Sequence, residues 1–272
     1  MSCVTQLERV ATASDFDRTT ALRPTGRPGE LAVDLDPGWS SLVGIHGGYM
    51  CALAVRGAAA IAEDRAVRTL TTSFLRTGNV GPATLTVREV RRGRSMSTVV
   101  ADLTQDDHLL LTSRLTLLRP RDGIEWRVPV HLGLPPRDEC VRMDGGRVSH
   151  FERVDGLLDP GSLPFSAGDR AMVRGYLRPL EGDRVDSAWL AMATDWFPPP
   201  AFVRLEPPTG GVSVDLTTHV HRPEVTLADD EWLVGRFEVE TSSAGLAVER
   251  GVIATTDGTL VAESFQTRLT AV

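Results

Sequence analysis

Ala188-Trp189-Leu190-Ala191-Met192-Ala193-Thr194-Asp195-Trp196-Phe197 is an apolar run broken once by a carboxylate and closed by Pro198, Pro199 and Pro200. No glycine or β-branched residue precedes Thr194 and the prolines supply a stop, so the stretch predicts a helix. Residues three and four apart share a helix face, which puts Asp195 in line with Ala188, Ala191 and Met192. That face is apolar except for the acid. A helix apolar nearly all round is normally buried, and a buried carboxylate must accept hydrogen bonds, meet a cation or take up a proton. Asp195 is therefore the first candidate for chemistry. The competing expectation is a helix-end Asp tied to nearby backbone or to an arginine.

The totals limit what that chemistry can be. The chain has 272 residues, enough for two domains of ordinary size, and 42% hydrophobic with 24% charged residues is a globular composition. A formal charge of −7 argues against nucleic-acid or anionic-membrane partners, which need a basic surface. All 29 basic residues are arginine, so Schiff-base and lysine-base mechanisms are excluded. Cys3, Cys51 and Cys140 are too scattered for a disulfide framework or a zinc knuckle, which suggests a reducing compartment. Met1 to Val10 lacks the basic start and apolar core of a secretory signal. The longest apolar run, Tyr49 to Ala62, is broken by Arg56 and Gly57 and is too short to span a bilayer. A cytoplasmic protein with no membrane insertion is the expectation.

Taken in order, residues 14–36 predict a hairpin, with strands Asp15 to Leu22 and Glu30 to Leu35. His46-Gly47-Gly48 then opens an alanine-rich helix from about Tyr49 to Ala62. Strand-like segments follow at Thr69 to Arg76, Ala83 to Val90, Ser95 to Leu103 and His108 to Leu118, with turns at Gly78, Gly93 and Asp106-Asp107. Periodicity lapses over 119–147, where Pro120, Pro129, Pro135 and Pro136 suggest a linker. Strands at 148–154 and 170–178, the helix around Asp195, and strands near 211–222, 231–241, 244–256 and 259–270 then repeat the first half in outline. Phe74-Leu75-Arg76 echoes Val220-His221-Arg222, and Thr112-Ser113-Arg114-Leu115-Thr116 echoes Gln266-Thr267-Arg268-Leu269-Thr270. The predicted class is α+β in two copies, residues 1–118 and 148–272. The second copy carries the acid and Gln266 stands where the first has Thr112, so one polar site is expected, not two.

A meander around one apolar helix, in tandem, resembles the hot-dog fold, and the residues resemble its double hot-dog acyl-CoA thioesterases of the thioesterase II kind. The similarity is carried by Gly47-Gly48, Ser73-Phe74-Leu75-Arg76, Ala193-Thr194-Asp195, Ser213-Val214-Asp215 ahead of His221-Arg222-Pro223, and Asp257 to Ala262 running into Gln266. Thr217-Thr218-His219 stands where that family more often has bulkier residues. The resemblance implies antiparallel sheets, each wrapped round a central helix. It also implies an acyl-CoA or acyl-carrier substrate, no cofactor or metal, and catalytic residues at Asp195, Ser213 and Gln266. Exposed sheet edges would permit a homo-oligomer.

The residues suit that chemistry. A thioester expels its thiolate without acid assistance, so hydrolysis needs an oriented water and stabilisation of the developing oxyanion. Asp195 would take the water's proton, with Ser213 and Gln266 holding the water. A place in the last helical turn would raise the basicity of Asp195. Gly47 and Gly48, at a helix start, are the candidate oxyanion donors, and His46 beside them a turn residue or an entrance-lining group. Strict alternation puts Ser213 with Asp215, Thr217, His219 and His221 on the polar face, so a bulge is needed to aim it inward. Gln266 could equally be a structural cross-strand amide. Asp215, His219 and His221 make a rival metal site. A non-catalytic acyl-CoA binding protein or a hot-dog hydratase would also suit such a chain; the hydratase is disfavoured because no His follows Asp195 closely.

Overall fold

The computed structural model describes residues 14–146, 148–180, 184–205 and 210–271; Cys3 and the Met1 to Val10 segment lie outside them. The helices are α1 (Asp15–Thr19), α2 (Gly47–Ile61) and α3 (Ser187–Ala193). The first half contributes strands β1 (Arg23–Pro24), β2 (Glu30–Leu35), β3 (Ala66–Phe74), β4 (Gly81–Arg92), β5 (Met96–Gln105) and β6 (His108–Leu118). The second contributes β7 (Val141–Arg142), β8 (Val154–Leu158), β9 (Ala171–Pro179), β10 (Val185–Asp186), β11 (Gly210–Val220), β12 (Glu224–Val225), β13 (Leu233–Ser243), β14 (Leu246–Thr255) and β15 (Leu260–Ala271).

All strand pairing is antiparallel, and apart from a small β10–β12 ladder the strands form one continuous sheet in the order β1-β2-β4-β5-β6-β3-β11-β15-β14-β13-β9-β8-β7. Apart from β7, which has no counterpart, the order is palindromic about the β3–β11 seam. Across that seam Thr71 pairs with Thr217, while Ser73 pairs with Asp215 and Thr69 with His219. This places a local two-fold between Thr71 and Thr217 and matches β3, β6, β5, β4, β2 and β1 with β11, β15, β14, β13, β9 and β8. Two sheets were expected; the halves instead share one, because each supplies an unpaired edge strand that the other completes.

Helix α2 forms where alanine and glycine run together, and its Tyr49 to Val55 side chains are all buried. It packs on β3, β4, β5 and β6 and lies against α3. The small residues permit the close approach. A Cβ on Gly48 would stand 2.5 Å from the Met192 carbonyl oxygen of α3, so only glycine fits there.

Several local expectations are corrected. Asp15 to Leu22 is not a strand. Its first residues form α1, because Ser14 accepts a hydrogen bond from the Asp17 amide and Asp15 and Asp17 favour the positive end of a helix. Residues 149–153 form a 3-10 turn, not a strand. There the Ser149 hydroxyl and His150 amide donate to carbonyls of Pro37 and Ser40 in the first half. The strand of this stretch begins only at Val154, while β7, inside the expected linker, already pairs Val141 with Leu158. Helix α3 is also shorter than the apolar run. Asp186 caps its start by accepting from the Ala188 and Trp189 amides, it ends at Ala193, and Asp195 lies beyond it in a tightened turn whose amide donates to Met192. Within the expected linker, Arg127 donates to Thr259, Val130 to the Gly258 carbonyl, and Leu132 packs with Val234, Val252 and Ala254.

Candidate active site

Asp195, Ser213 and Gln266 meet. The Gln266 Nε2 donates to Asp195 Oδ1 at 2.8 Å and to Ser213 Oγ at 2.7 Å. Three elements bring them together: the turn after α3, β11 and β15. The inward aim of Ser213 comes from a β-bulge. Ser213 pairs with Arg268 and Asp215 with Thr267, so Val214 is the extra residue and Ser213 shares a face with Leu216 three positions on. Beyond the bulge, Leu216, Thr218 and Val220 point inward and alternate with Thr217 and His219.

The second oxygen of Asp195 faces α2. Gly48 N–H donates to Oδ2 at 2.8 Å, so this amide serves the carboxylate and is not free for an oxyanion. The neighbouring Gly47 N–H makes no hydrogen bond among the described residues. His46, 4% exposed, is not an entrance group. Its Nδ1 accepts from the Tyr49 amide as the N-cap of α2, which fixes the proton on Nε2, and Nε2 lies 2.9 Å from the Asp195 carbonyl oxygen and 3.4 Å from Oδ2. The His150 ring stacks on His46 at 4.2 Å. Burial pushes both imidazoles below the ordinary histidine value, His150 to about 3, so both are neutral near pH 7.

Two residues absent from the sequence expectations complete the site. The Arg268 guanidinium donates through Nη2 to Asp195 Oδ1 at 3.0 Å and to Gln266 Oε1 at 2.8 Å, and through Nη1 to Ser213 Oγ at 3.1 Å. Its Nε donates to Glu249 Oε2 at 2.8 Å. Both charged residues are buried. The available signal was alternation: Arg268 lies two residues after Gln266, hence on the same strand face. Burial by itself would raise Asp195, but His46 beside it, Arg268 and the hydrogen bonds from Gln266 and Gly48 outweigh it, and its carboxyl is held below the usual value. This reverses the expected rise in basicity. With α3 ending at Ala193, nearby donors and a cation set the ionisation, not the helix pole.

The local two-fold shows how the site is confined to one half. The register pairs Leu70 with Leu115 and Val67 with Leu117 around a bulge in β3, as it pairs Leu216 with Gln266 and Ser213 with Arg268 around the bulge in β11. Gln266 thus corresponds to Leu115, not to Thr112 as the sequence echo suggested. Ser213 corresponds to Val67 and Arg268 to Leu117; the β5–β6 and β14–β15 ladders match Glu249 with Val99. Counted from the two N-caps, Val55 matches Asp195. All these counterparts are buried aliphatics. A large groove does open at that end, lined by Val55, Val67 and Ala188. Its rim mixes Glu63 and Glu224 with Arg56 and Arg222, and the polar constellation is missing from it. His221, one of the residues of the rival metal site, pairs with Glu263 at 3.0 Å. Among the described residues no group of three or more His, Cys, Asp and Glu side chains is arranged to hold a metal ion. No helix among the described residues is long and apolar enough to cross a membrane.

The duplicated antiparallel fold, in which a carboxylate, an amide and a hydroxyl meet beside a helix start, is that of the double hot-dog class. The chain belongs to the acyl-CoA thioesterase family: residues 35–118 match its N-terminal domain and 129–270 its C-terminal domain. Among solved structures it is similar to a candidate thioesterase II from Thermobifida fusca, at 26% identity and a TM-score of 0.83 over 96% of this chain and 98% of that one. A hot-dog protein of unknown function from Alicyclobacillus acidocaldarius shares the fold at 22% identity and a TM-score of 0.85, over 96% and 99% of the two chains. An acyl-CoA thioesterase II from Mycobacterium marinum does so at 20% and 0.72, over 94% and 98%. No curated protein sequence matches significantly.

Proposed function

We propose that the chain hydrolyses acyl-CoA thioesters to the free acid and CoA, using Asp195, Ser213 and Gln266 to hold and activate water. The observation that carries this reading is the Gln266 amide, which bridges the acid and the alcohol at 2.8 and 2.7 Å. A water seated between Ser213 and Asp195 gives its proton to the carboxylate as its oxygen attacks the thioester carbonyl. Ser213 already accepts from Gln266 and Arg268, which leaves its own hydrogen free to donate. The oxyanion is met by the Gly47 N–H at the positive end of α2. The thiolate departs without a proton, its conjugate acid being close to an ordinary thiol in strength.

In this reading each half of the sheet closes round its own helix, the halves divide within 119–147, and only the second retains chemistry. The test is release of free thiol from a panel of acyl-CoAs of graded chain length, with Asp195→Asn as control. Turnover by the wild type and loss of about 10²-fold or more in a folded variant are expected. Tight binding of acyl-CoA without turnover would replace the hydrolase with a binding protein, and hydration of an enoyl-CoA in place of cleavage would make the chain a hydratase.

A further inference from the structure

We infer that Arg268 is a positioning residue of the hydrolytic site, holding Asp195 as its anion and aligning Gln266 and Ser213, with Glu249 fixing the guanidinium in turn. The inference rests on the reading of Asp195 as the base.

The geometry is that of a hub. One side chain contacts all three proposed catalytic groups, at 3.0 Å to Asp195, 2.8 Å to Gln266 and 3.1 Å to Ser213, and a fourth contact ties it to β14 through Glu249 at 2.8 Å. The bond into Gln266 Oε1 has a specific consequence. It fixes the amide so that Nε2 must point to Asp195 and Ser213, the orientation a water-positioning amide needs. A planar guanidinium with donors along two edges can serve all four partners at once; an ammonium cannot.

The pair is not explained by folding. Burying an arginine and a glutamate costs desolvation of both, and such pairs are commonly replaceable by apolar residues of similar volume. This fold contains that replacement already: the two-fold counterparts of Glu249 and Arg268 are Val99 and Leu117, both fully buried. The charges are found only in the half that carries Asp195.

Among the described residues Arg268 is the guanidinium that reaches the Asp195 carboxylate, and His46, at 3.4 Å, is the other basic group beside it. Facing it are His46 from the start of α2, Gln266 and Arg268 from β15, and Ser213 from β11. Behind them lie Glu249 on β14, His150 stacked on His46, and Cys51 within α2. Both histidines are neutral near pH 7 and Cys51 is a buried thiol pushed up to about 12. Glu249 is a second acid, so without Arg268 the cluster would place two carboxyl groups together with no counter-charge.

The experiment compares wild type, Arg268→Lys, Arg268→Gln and the double variant Glu249→Val/Arg268→Leu, which installs the counterpart pair. The ionisation of Asp195 is read directly by carbon NMR on protein labelled at the aspartate carboxyl carbon, assigned with Asp195→Asn, and the pH profile of kcat/KM is recorded beside it. Loss of the cation is expected to move the Asp195 midpoint, and with it the acid limb of the profile, upward by at least one pH unit in the glutamine and double variants, and by less in the lysine variant. kcat should fall more than KM rises, and the double variant should melt no lower than wild type. An Asp195 midpoint unmoved in either folded variant would overturn the inference, as would a rise in KM with kcat unchanged. The NMR reading needs no turnover, so a wild type that cleaves no thioester sinks the hydrolase reading while the titration still decides the role of Arg268.

Discussion

Gln266 and Leu115 occupy the same place in the two halves of the molecule: each faces inward on a sheet strand, one opposite Leu216 and the other opposite Leu70. The amide donates to an acid, while the leucine packs in the core. Gln266→Leu therefore converts the active position to a side chain the fold already accepts at its twin. Loss of one preorganised donor lowers kcat/KM by about 10²–10³-fold, and the melting temperature should change little. Kinetics and a thermal scan on the same preparation check both halves of this expectation.

Gly48 sets the spacing between α2 and α3. A Cβ there would stand 2.5 Å from the Met192 carbonyl oxygen and 2.9 Å from the Asp195 Cβ. Gly48→Ala forces the helices apart, which costs about 1–3 kcal/mol of stability and withdraws the amide from Asp195. Urea denaturation should show the lower midpoint, and turnover should fall with it.

Val214 is the extra residue that turns Ser213 inward. Deleting it makes the ladder regular: Ser213 then directly precedes Asp215, stays opposite Arg268 and still faces inward, while the local kink of β11 is lost. The deletion should therefore impair turnover less than Ser213→Ala does, as kinetics on the two variants would show. A deletion variant as inactive as Ser213→Ala would mean that the kink of the bulge, and not only the inward face, places the hydroxyl.

Acid should weaken the protein in two separate windows. His150 is pushed down to about 3 by burial and by His46 beside it, so between the ordinary histidine value and about pH 3 the unfolded chain binds a proton that the folded one refuses. Stability is therefore full above about pH 6.5 and falls by about 1.4 kcal/mol per pH unit below it. Asp195 is depressed, so its contribution is present above the ordinary carboxyl value and is lost only as pH falls through its lower folded value. His150→Phe, which keeps a ring against His46 and cannot titrate, should flatten the change in urea midpoint between about pH 6.5 and 4.5.

Much of this was legible in the chain. Alternation located the long strands from β3 to β6 and from β11 to β15, and small apolar residues located α2. The motifs around Asp195, Ser213 and Gln266 picked out three side chains that do converge. Local pattern failed where distant partners decide. Residues 149–153 leave strand geometry because Ser40 and Pro37 accept their hydrogen bonds. The echo of Thr112 in Gln266 was out of register because only the ladder shows which residues lie opposite. The expected rise in Asp195 basicity assumed a helix end as its main influence and overlooked an arginine 73 residues away.

The sequence by itself determined the duplicated α+β plan and the single acid in an apolar setting, since periodicity and composition are local properties of the chain; the trio around that acid was implied only by motifs that resemble a known family. Tertiary structure alone decided the shared sheet, the bulge that turns Ser213 inward and the Arg268–Glu249 hub. Each of these depends on which strands pair and in what register, and a charge acts through space on whatever the fold brings near it.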